Sequence, residues 1–170
     1  AMDTITLGNG SNDVLEIIAR AYLAPGDEAI YSQYAFAVYP ISIQAVNATA
    51  VVTPAVNYGH DLKAMAAAIT AKTKLIFIAN PNNPTGTWFG KTEWEAFMAK
   101  VPETVLVVLD EAYIEYVEDA GALDGLQYVS RYPNLIVSRT FSKAYGLAGL
   151  RVGYCISHPQ VANVLNRVRQ

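Results

Sequence analysis

Residues 75–111 read LIFIANPNNPTGTWFGKTEWEAFMAKVPETVLVVLDE, and the rhythm of that stretch decides the fold. Leu75–Ala79 and Thr104–Leu109 are short runs apolar at nearly every position, as strands must be when helices cover both faces of their sheet. Between them, Thr92–Lys100 reads as a helix, with Thr92 and Glu95 placed as a capping box. Strand, helix and strand in that order make a right-handed βαβ unit, and so a parallel pair. The rhythm continues outward in both directions. Glu28–Tyr31, Ala50–Thr53, Leu135–Ser138 and Val152–Ile156 read as further strands. Asp13–Leu23 carries Val14, Leu15, Ile17, Ile18 and Leu23 at helical spacing, and Asp61–Ile69 and Gln160–Arg169 are further helices. The expected fold is α/β, a mostly parallel sheet flanked by helices, with residues 1–170 as one domain.

Composition narrows the function classes. Of 170 residues, 52% are hydrophobic and 16% charged, with mean hydropathy +0.20, which excludes a disordered chain. Twelve Lys and Arg stand against 15 Asp and Glu, for a net charge of −3 and a pI near 5.3. With no basic run, nucleic acid and anionic membranes are not expected as partners. No stretch approaches the ~18–20 apolar residues that a bilayer span needs. The first residues lack the charged and apolar parts of a signal peptide, so the expected location is the cytoplasm. A single cysteine, Cys155, allows no internal disulfide, and with His60 and His158 scattered no metal site is expected. Cys155 reads as a core residue, His60 as a loop or helix-start residue and His158 as a helix entry. Trp88 and Trp94 read as packing for the Thr92–Lys100 helix.

In an open α/β sheet, ligands gather at the carboxyl ends of the strands, and the unusual residues fall there. Gly8-Asn9-Gly10-Ser11-Asn12-Asp13 runs straight into a helix, so its N–H groups can hold an anion or serve as a plain N-cap. It is no dinucleotide fingerprint, because Asp13 stands where the third glycine belongs. Asn80-Pro81-Asn82-Asn83-Pro84-Thr85-Gly86 follows the LIFIA strand and reads as a rigid turn. A turn alone needs no such density of amides, and Asn83 would present a fixed side chain to a ligand. Asp110-Glu111-Ala112-Tyr113 ends the TVLVVL strand; Asp110 is either a helix N-cap or a buried acid that needs a cationic partner. The pair LVVLDE and Gly86–Thr92 also suggests a nucleotide-binding phosphate loop dependent on Lys91. The spacing between its glycines is one residue short of the known pattern.

Ser138–Arg151, SRTFSKAYGLAGLR, holds the last element. A lone lysine is ordinarily a solvated surface charge. Lys143 instead lies among small, apolar and hydroxyl residues with no neighbouring carboxylate, a setting that withdraws water from an amine, as a Schiff-base lysine needs. Thr140, Ser142 and Arg151 add anion donors. An amine, an acid, an anion cradle and an aromatic segment (Tyr31, Tyr34, Phe36, Tyr39) together are the set that pyridoxal phosphate requires.

NPNNPTG, then DEAY, then SRTFSKAYGLAGLRVGY resemble, in that order, the motifs of the fold-type I pyridoxal-phosphate aminotransferases, nearest to the histidinol-phosphate branch. The resemblance covers essentially the whole chain. It implies the large cofactor-binding domain of that fold, with pyridoxal 5'-phosphate as cofactor. It further implies that Lys143 is the Schiff-base lysine and proton carrier, and that Asp110 pairs with the pyridine nitrogen. Asn83 and Tyr113 would bond the phenolic oxygen, and Phe36 would stack on the ring. Ser11, Asn12, Thr140, Ser142 and Arg151 would hold the phosphate. Relatives often carry Tyr where Phe36 stands, so the stacking is kept and a hydroxyl is lost.

The same resemblance implies transamination between an amino donor and a 2-oxo acid. The expected reaction exchanges histidinol phosphate and 2-oxoglutarate with imidazole-acetol phosphate and glutamate, in a homodimer. Aromatic or other amino acids are alternative donors, and a non-catalytic binding module of the same fold is a further alternative. Family members carry an N-terminal segment and a small C-terminal domain that are expected to lie outside this chain. Alone, it is therefore expected to bind cofactor weakly and turn over poorly or not at all.

Overall fold

The computed structural model describes residues 2–169. Its frame is a seven-stranded sheet in the order β1-β9-β8-β7-β6-β2-β3. The strands are β1 (Ile5–Asn9), β2 (Glu28–Ser32), β3 (Thr49–Thr53), β6 (Thr73–Ala79), β7 (Leu106–Asp110), β8 (Leu135–Thr140) and β9 (Val152–Ser157), while β4 (Ala55–Val56) and β5 (Gly59–His60) form a separate small hairpin. The helices are α1 (Ser11–Tyr22), α2 (Val38–Ala45), α3 (Leu62–Ala67), α4 (Lys91–Met98) and α5 (Pro159–Val168). Every pairing from β3 across to β8 is parallel, as expected. β9 runs antiparallel to both of its neighbours, β8 and β1. That reversal turns β1 back into line with the parallel strands, so its carboxyl end, Asn9, lies on the same edge as Ala79, Asp110 and Thr140.

Alternation along the strands builds two apolar layers. On β6, Leu75 and Phe77 join Val14, Leu15, Ile18 and Tyr39 on one face. Ile76 and Ile78 join Met65, Trp94 and Phe97 on the other. α1, α2 and α5 cover the first face and α3 and α4 the second. A sheet buried on both faces is the reason these strands read as unbroken apolar runs. Cys155 is fully buried in the first layer, as expected, and burial pushes its thiol up to about 12.

Several local expectations change. The helix after the asparagine turn starts at Lys91, and its cap is Gly90, whose N–H donates to Glu93 Oε2 at 3.2 Å. Thr92 and Glu95 therefore form no capping box. Trp94 is fully buried and stacks on Phe89, whereas Trp88 is 45% exposed and lines a groove. His60 ends β5, and its Nε2 bonds the carbonyl of Ala79 at 2.9 Å. His158 caps α5 as a helix-entry residue, Nδ1 accepting from the Gln160 N–H. β1 and α2 have no counterpart in the sequence reading. Among the described residues, no helix is long and apolar enough to cross a membrane.

Candidate active site

The carboxyl edge of the sheet holds a cleft of about 50 Å³, lined among others by Ser11, Asn12, Phe36, Asn83, Asp110, Tyr113 and Lys143. Seven of the sequence-predicted residues thus meet in one place, drawn from five separate segments of the chain. A wider groove of about 730 Å³ adjoins it and shares Pro81, Asn83 and Tyr113. Gly86 and Trp88 line that groove, and Lys91 lines neither cavity, so the phosphate-loop reading finds no site.

Asp110 ends β7 and is buried to 4% exposure. One oxygen, Oδ2, accepts from the Tyr39 hydroxyl at 3.0 Å, while Oδ1 has no hydrogen-bond partner among the described residues. Burial pushes the carboxyl up to about 6, and the Tyr39 hydroxyl, the Ala112 N–H and the charge of Lys143 hold it down only in part. The expected cationic partner is thus not a hydrogen-bonded side chain of this chain; a neutral tyrosine takes one oxygen. The sequence places Tyr39 among the aromatics of this segment without pointing to its bond with the acid. Its ring stacks on Phe77 at 5.0 Å and meets Phe36 edge-on at 5.9 Å, so one aromatic column supports both the acid and the stacking residue.

Lys143 approaches from the opposite wall, its Nζ 5.2 Å from the centre of the Tyr113 ring. The side chain is exposed, which corrects the expectation of a desolvated amine. It sits on an irregular segment, and small apolar neighbours in sequence bury nothing when the chain leaves the sheet. Asn83 is half-buried and held by its loop. Within that loop Asn82 Nδ2 donates to the Tyr34 carbonyl at 3.1 Å and to Thr85 Oγ1 at 2.8 Å. Asn80 exchanges two bonds with Phe89 across the same turn.

The anion cradle forms where β1 enters α1. Gly10, at φ 81, allows the turn, and a Cβ there would come within 2.5 Å of Arg151 Nη2. A Cβ on Gly153 would collide with the Gly10 and Ser11 backbone, so β9 can lie against the turn only without a side chain. The first N–H groups of α1 have no intrahelical partners, and Arg151 lies against the glycine that leads into them. Arg151 itself bonds the Asn9 carbonyl at 3.3 Å and Ser142 Oγ at 3.4 Å. Thr140, Ser142 and Arg151 border the cleft without lining it. Thr140 Oγ1 accepts from the Ser142 N–H at 3.1 Å and so braces the turn.

The arrangement fits pyridoxal phosphate on features of the chain itself. An orphaned carboxylate oxygen awaits a cationic N–H, an aromatic face lies beside it, and an amine stands opposite. A helix N-terminus with an arginine offers a phosphate seat. The fold is that of the fold-type I pyridoxal-phosphate enzymes. The family profile described as aminotransferase class I and II matches residues 1–170, and the chain belongs to that family.

Relatives agree in detail. The chain is 66% identical over 169 residues to histidinol-phosphate aminotransferase 2 of Pseudomonas fluorescens, covering 99% of this chain and 46% of that protein. It is 64% identical to histidinol-phosphate aminotransferase 2 of Pseudomonas aeruginosa over 98% of this chain and 45% of the relative. The crystal structure of histidinol-phosphate aminotransferase from Sinorhizobium meliloti in complex with pyridoxal-5'-phosphate superposes with TM-score 0.93 at 34% identity, over 99% of this chain and 46% of that one. The chain thus spans just under half the length of the relatives it matches.

Proposed function

We propose that residues 1–170 form the cofactor-binding domain of a pyridoxal-phosphate aminotransferase acting on histidinol phosphate and 2-oxoglutarate. The single observation that carries the reading is the buried Asp110 with one bare oxygen, set across a cleft from Lys143. The name shared by the similar Pseudomonas proteins supports the substrate. The family resemblance supports a homodimer and a cytoplasmic location.

When bound, pyridoxal phosphate supplies an electron-withdrawing ring that stabilises negative charge at the substrate α-carbon. Asp110 Oδ1 would accept the ring N–H and keep that nitrogen protonated, an exchange that also gives the buried carboxylate the cation it lacks. Tyr39 holds Oδ2 and so fixes the direction of Oδ1. Phe36, which lines the cleft, would cover one ring face and exclude water from it. Asn83 and the Tyr113 hydroxyl would donate to the phenolic oxygen. Ser11, Asn12, Ser142 and Arg151 would hold the phosphate, with Thr140 bracing the turn beneath them. Lys143 Nζ would be the base that takes and holds the proton of the substrate α-carbon, the charge it gains eased by the Tyr113 ring face. A positioned base of this kind contributes about 10²–10⁴ in rate.

The test uses a protein carrying this sequence at the full length of its relatives. Its kcat/KM for histidinol phosphate with 2-oxoglutarate should exceed that for phenylalanine or leucine by at least about tenfold, the scale on which one well-used polar contact discriminates. Equal or reversed preference would overturn the substrate assignment. Absence of any transamination would overturn the reaction class.

A further inference from the structure

Next to Asp110 on the chain, Glu111 points the other way, and the cofactor reading gives it no role. It is completely buried. Its Oε2 accepts from both Nε and Nη2 of Arg139, at 3.0 and 2.7 Å, and its Oε1 accepts the Gly125 N–H at 2.7 Å. Nη2 of Arg139 also reaches Asp124 Oδ1 at 2.7 Å, at the half-exposed rim. Position 125 must be glycine for this closure, because a Cβ there would lie 2.6 Å from Leu109 Cδ2 and 3.0 Å from Glu111 Oε1.

The location gives the cluster its meaning. Asp110 pairs in register with Ser138, and the Glu111 N–H bonds the Ser138 carbonyl at 2.8 Å. Arg139 is the last charged anchor on β8 before the chain leaves the sheet toward Lys143. The ion pair therefore ties the strand end that carries the acid to the strand end that carries the amine, from the face opposite the cleft. A buried ion pair is an expensive way to stabilise a sheet, and apolar side chains of similar volume commonly do as well. A planar guanidinium on a carboxylate does fix relative orientation, which apolar packing does not.

We propose that Glu111 and Arg139 are positioning residues that set Asp110 and Lys143 at their working separation, with Asp124 and Gly125 locking the pair. The inference rests on the cofactor-binding reading above and extends it to residues that touch no ligand.

The test compares the parent with Arg139→Lys, which keeps the charge but loses the fork, and with Asp124→Ala, a change at the rim that leaves the buried pair in place. In the ligand-free proteins, hydrogen exchange of residues 110–116 and 140–148 should accelerate about tenfold in Arg139→Lys and by less in Asp124→Ala. Residues 75–79 should keep the parent's rate. Titrated with pyridoxal phosphate, Arg139→Lys should bind about tenfold more weakly, and the pH midpoint of its bound chromophore should move. Acceleration spread evenly over the sheet, with affinity and midpoint unchanged, would overturn the proposal and leave the cluster a plain structural strut. If Arg139→Lys does not fold, Asp124→Ala decides by the same two readouts. Should the parent itself bind no pyridoxal phosphate, the cofactor reading falls, while the exchange pattern still decides whether the two strand ends are coupled.

Discussion

The two walls of the cleft are built to different standards. Asp110 and its supports are part of the sheet core: Tyr39 is fully buried, Phe77 backs it, and Asp110 is in ladder register with both Ala79 and Ser138. Lys143 and Arg151 are exposed, and the segment between β8 and β9 has one short 3₁₀ turn as its only regular structure. The acid wall is preformed, whereas the amine wall rests on a few loop hydrogen bonds. Preorganisation of the acid has a cost that shows in its raised pKa, because a carboxylate is held out of water before its cation arrives. The exposed wall stays in contact with water. It is the part of the site whose surroundings a partner molecule or further chain would complete.

The largest expected effect comes from removing the amine. Lys143→Ala should reduce transamination in the full-length protein by at least about 10²–10⁴ while leaving thermal unfolding of this chain unchanged, since the side chain is exposed. Steady-state turnover and a melting curve check both halves. A large drop in melting temperature would break the contrast between the walls.

Next is Asp110→Asn, which should act in opposite directions on function and on stability. Between the ordinary carboxyl range and about 6 the folded chain holds a proton that the unfolded chain has released. Stability therefore falls as pH rises through that window and stays lower above it, by about 3 kcal/mol for a group displaced by roughly two units. The asparagine variant should lose that pH dependence and be more stable than the parent at pH 8 when no ligand is present. Its affinity for pyridoxal phosphate should fall by about tenfold or more. Denaturant titrations at pH 4.5 and 8 measure the stability difference directly.

Gly153→Ala sharpens the comparison from the cradle side. The added methyl meets the Gly10 and Ser11 backbone, so a cost of about 1–3 kcal/mol is expected, together with weaker competition by inorganic phosphate for the cofactor seat. The smallest change should follow Tyr39→Phe. It removes one hydrogen bond to Asp110 and keeps the ring stack on Phe77, for a loss of about 1 kcal/mol by denaturant titration.

Much of this was legible in the sequence because β6 and β7 are buried on both faces and so advertise themselves as apolar runs. The three loops announce themselves by residues too polar for plain turns. β1 was not legible: Ile5–Asn9 is short, contains Gly8, and leaves Ile5 and Leu7 partly exposed at the sheet edge. Nor was α2, whose helix begins at an alanine without a side-chain cap, carries Pro40 in its first turn and is apolar on most sides. The Tyr39–Asp110 bond joins residues 71 apart, and no local pattern says which of four aromatics will meet the acid. Exposure of Lys143 was equally out of reach, because burial depends on the path of the chain after β8 and not on the character of its neighbours in sequence.

The central claim is that Asp110 and Lys143 frame a pyridoxal-phosphate site within this chain. The most direct measurement is an absorbance titration with pyridoxal phosphate, followed by borohydride reduction and peptide mass mapping. The account predicts a visible band and a single reduced adduct on Lys143, lost in Asp110→Asn at the same cofactor concentration. Adducts confined to surface lysines such as Lys63, Lys74 or Lys100, or none at all with Lys143 unmodified, would contradict it.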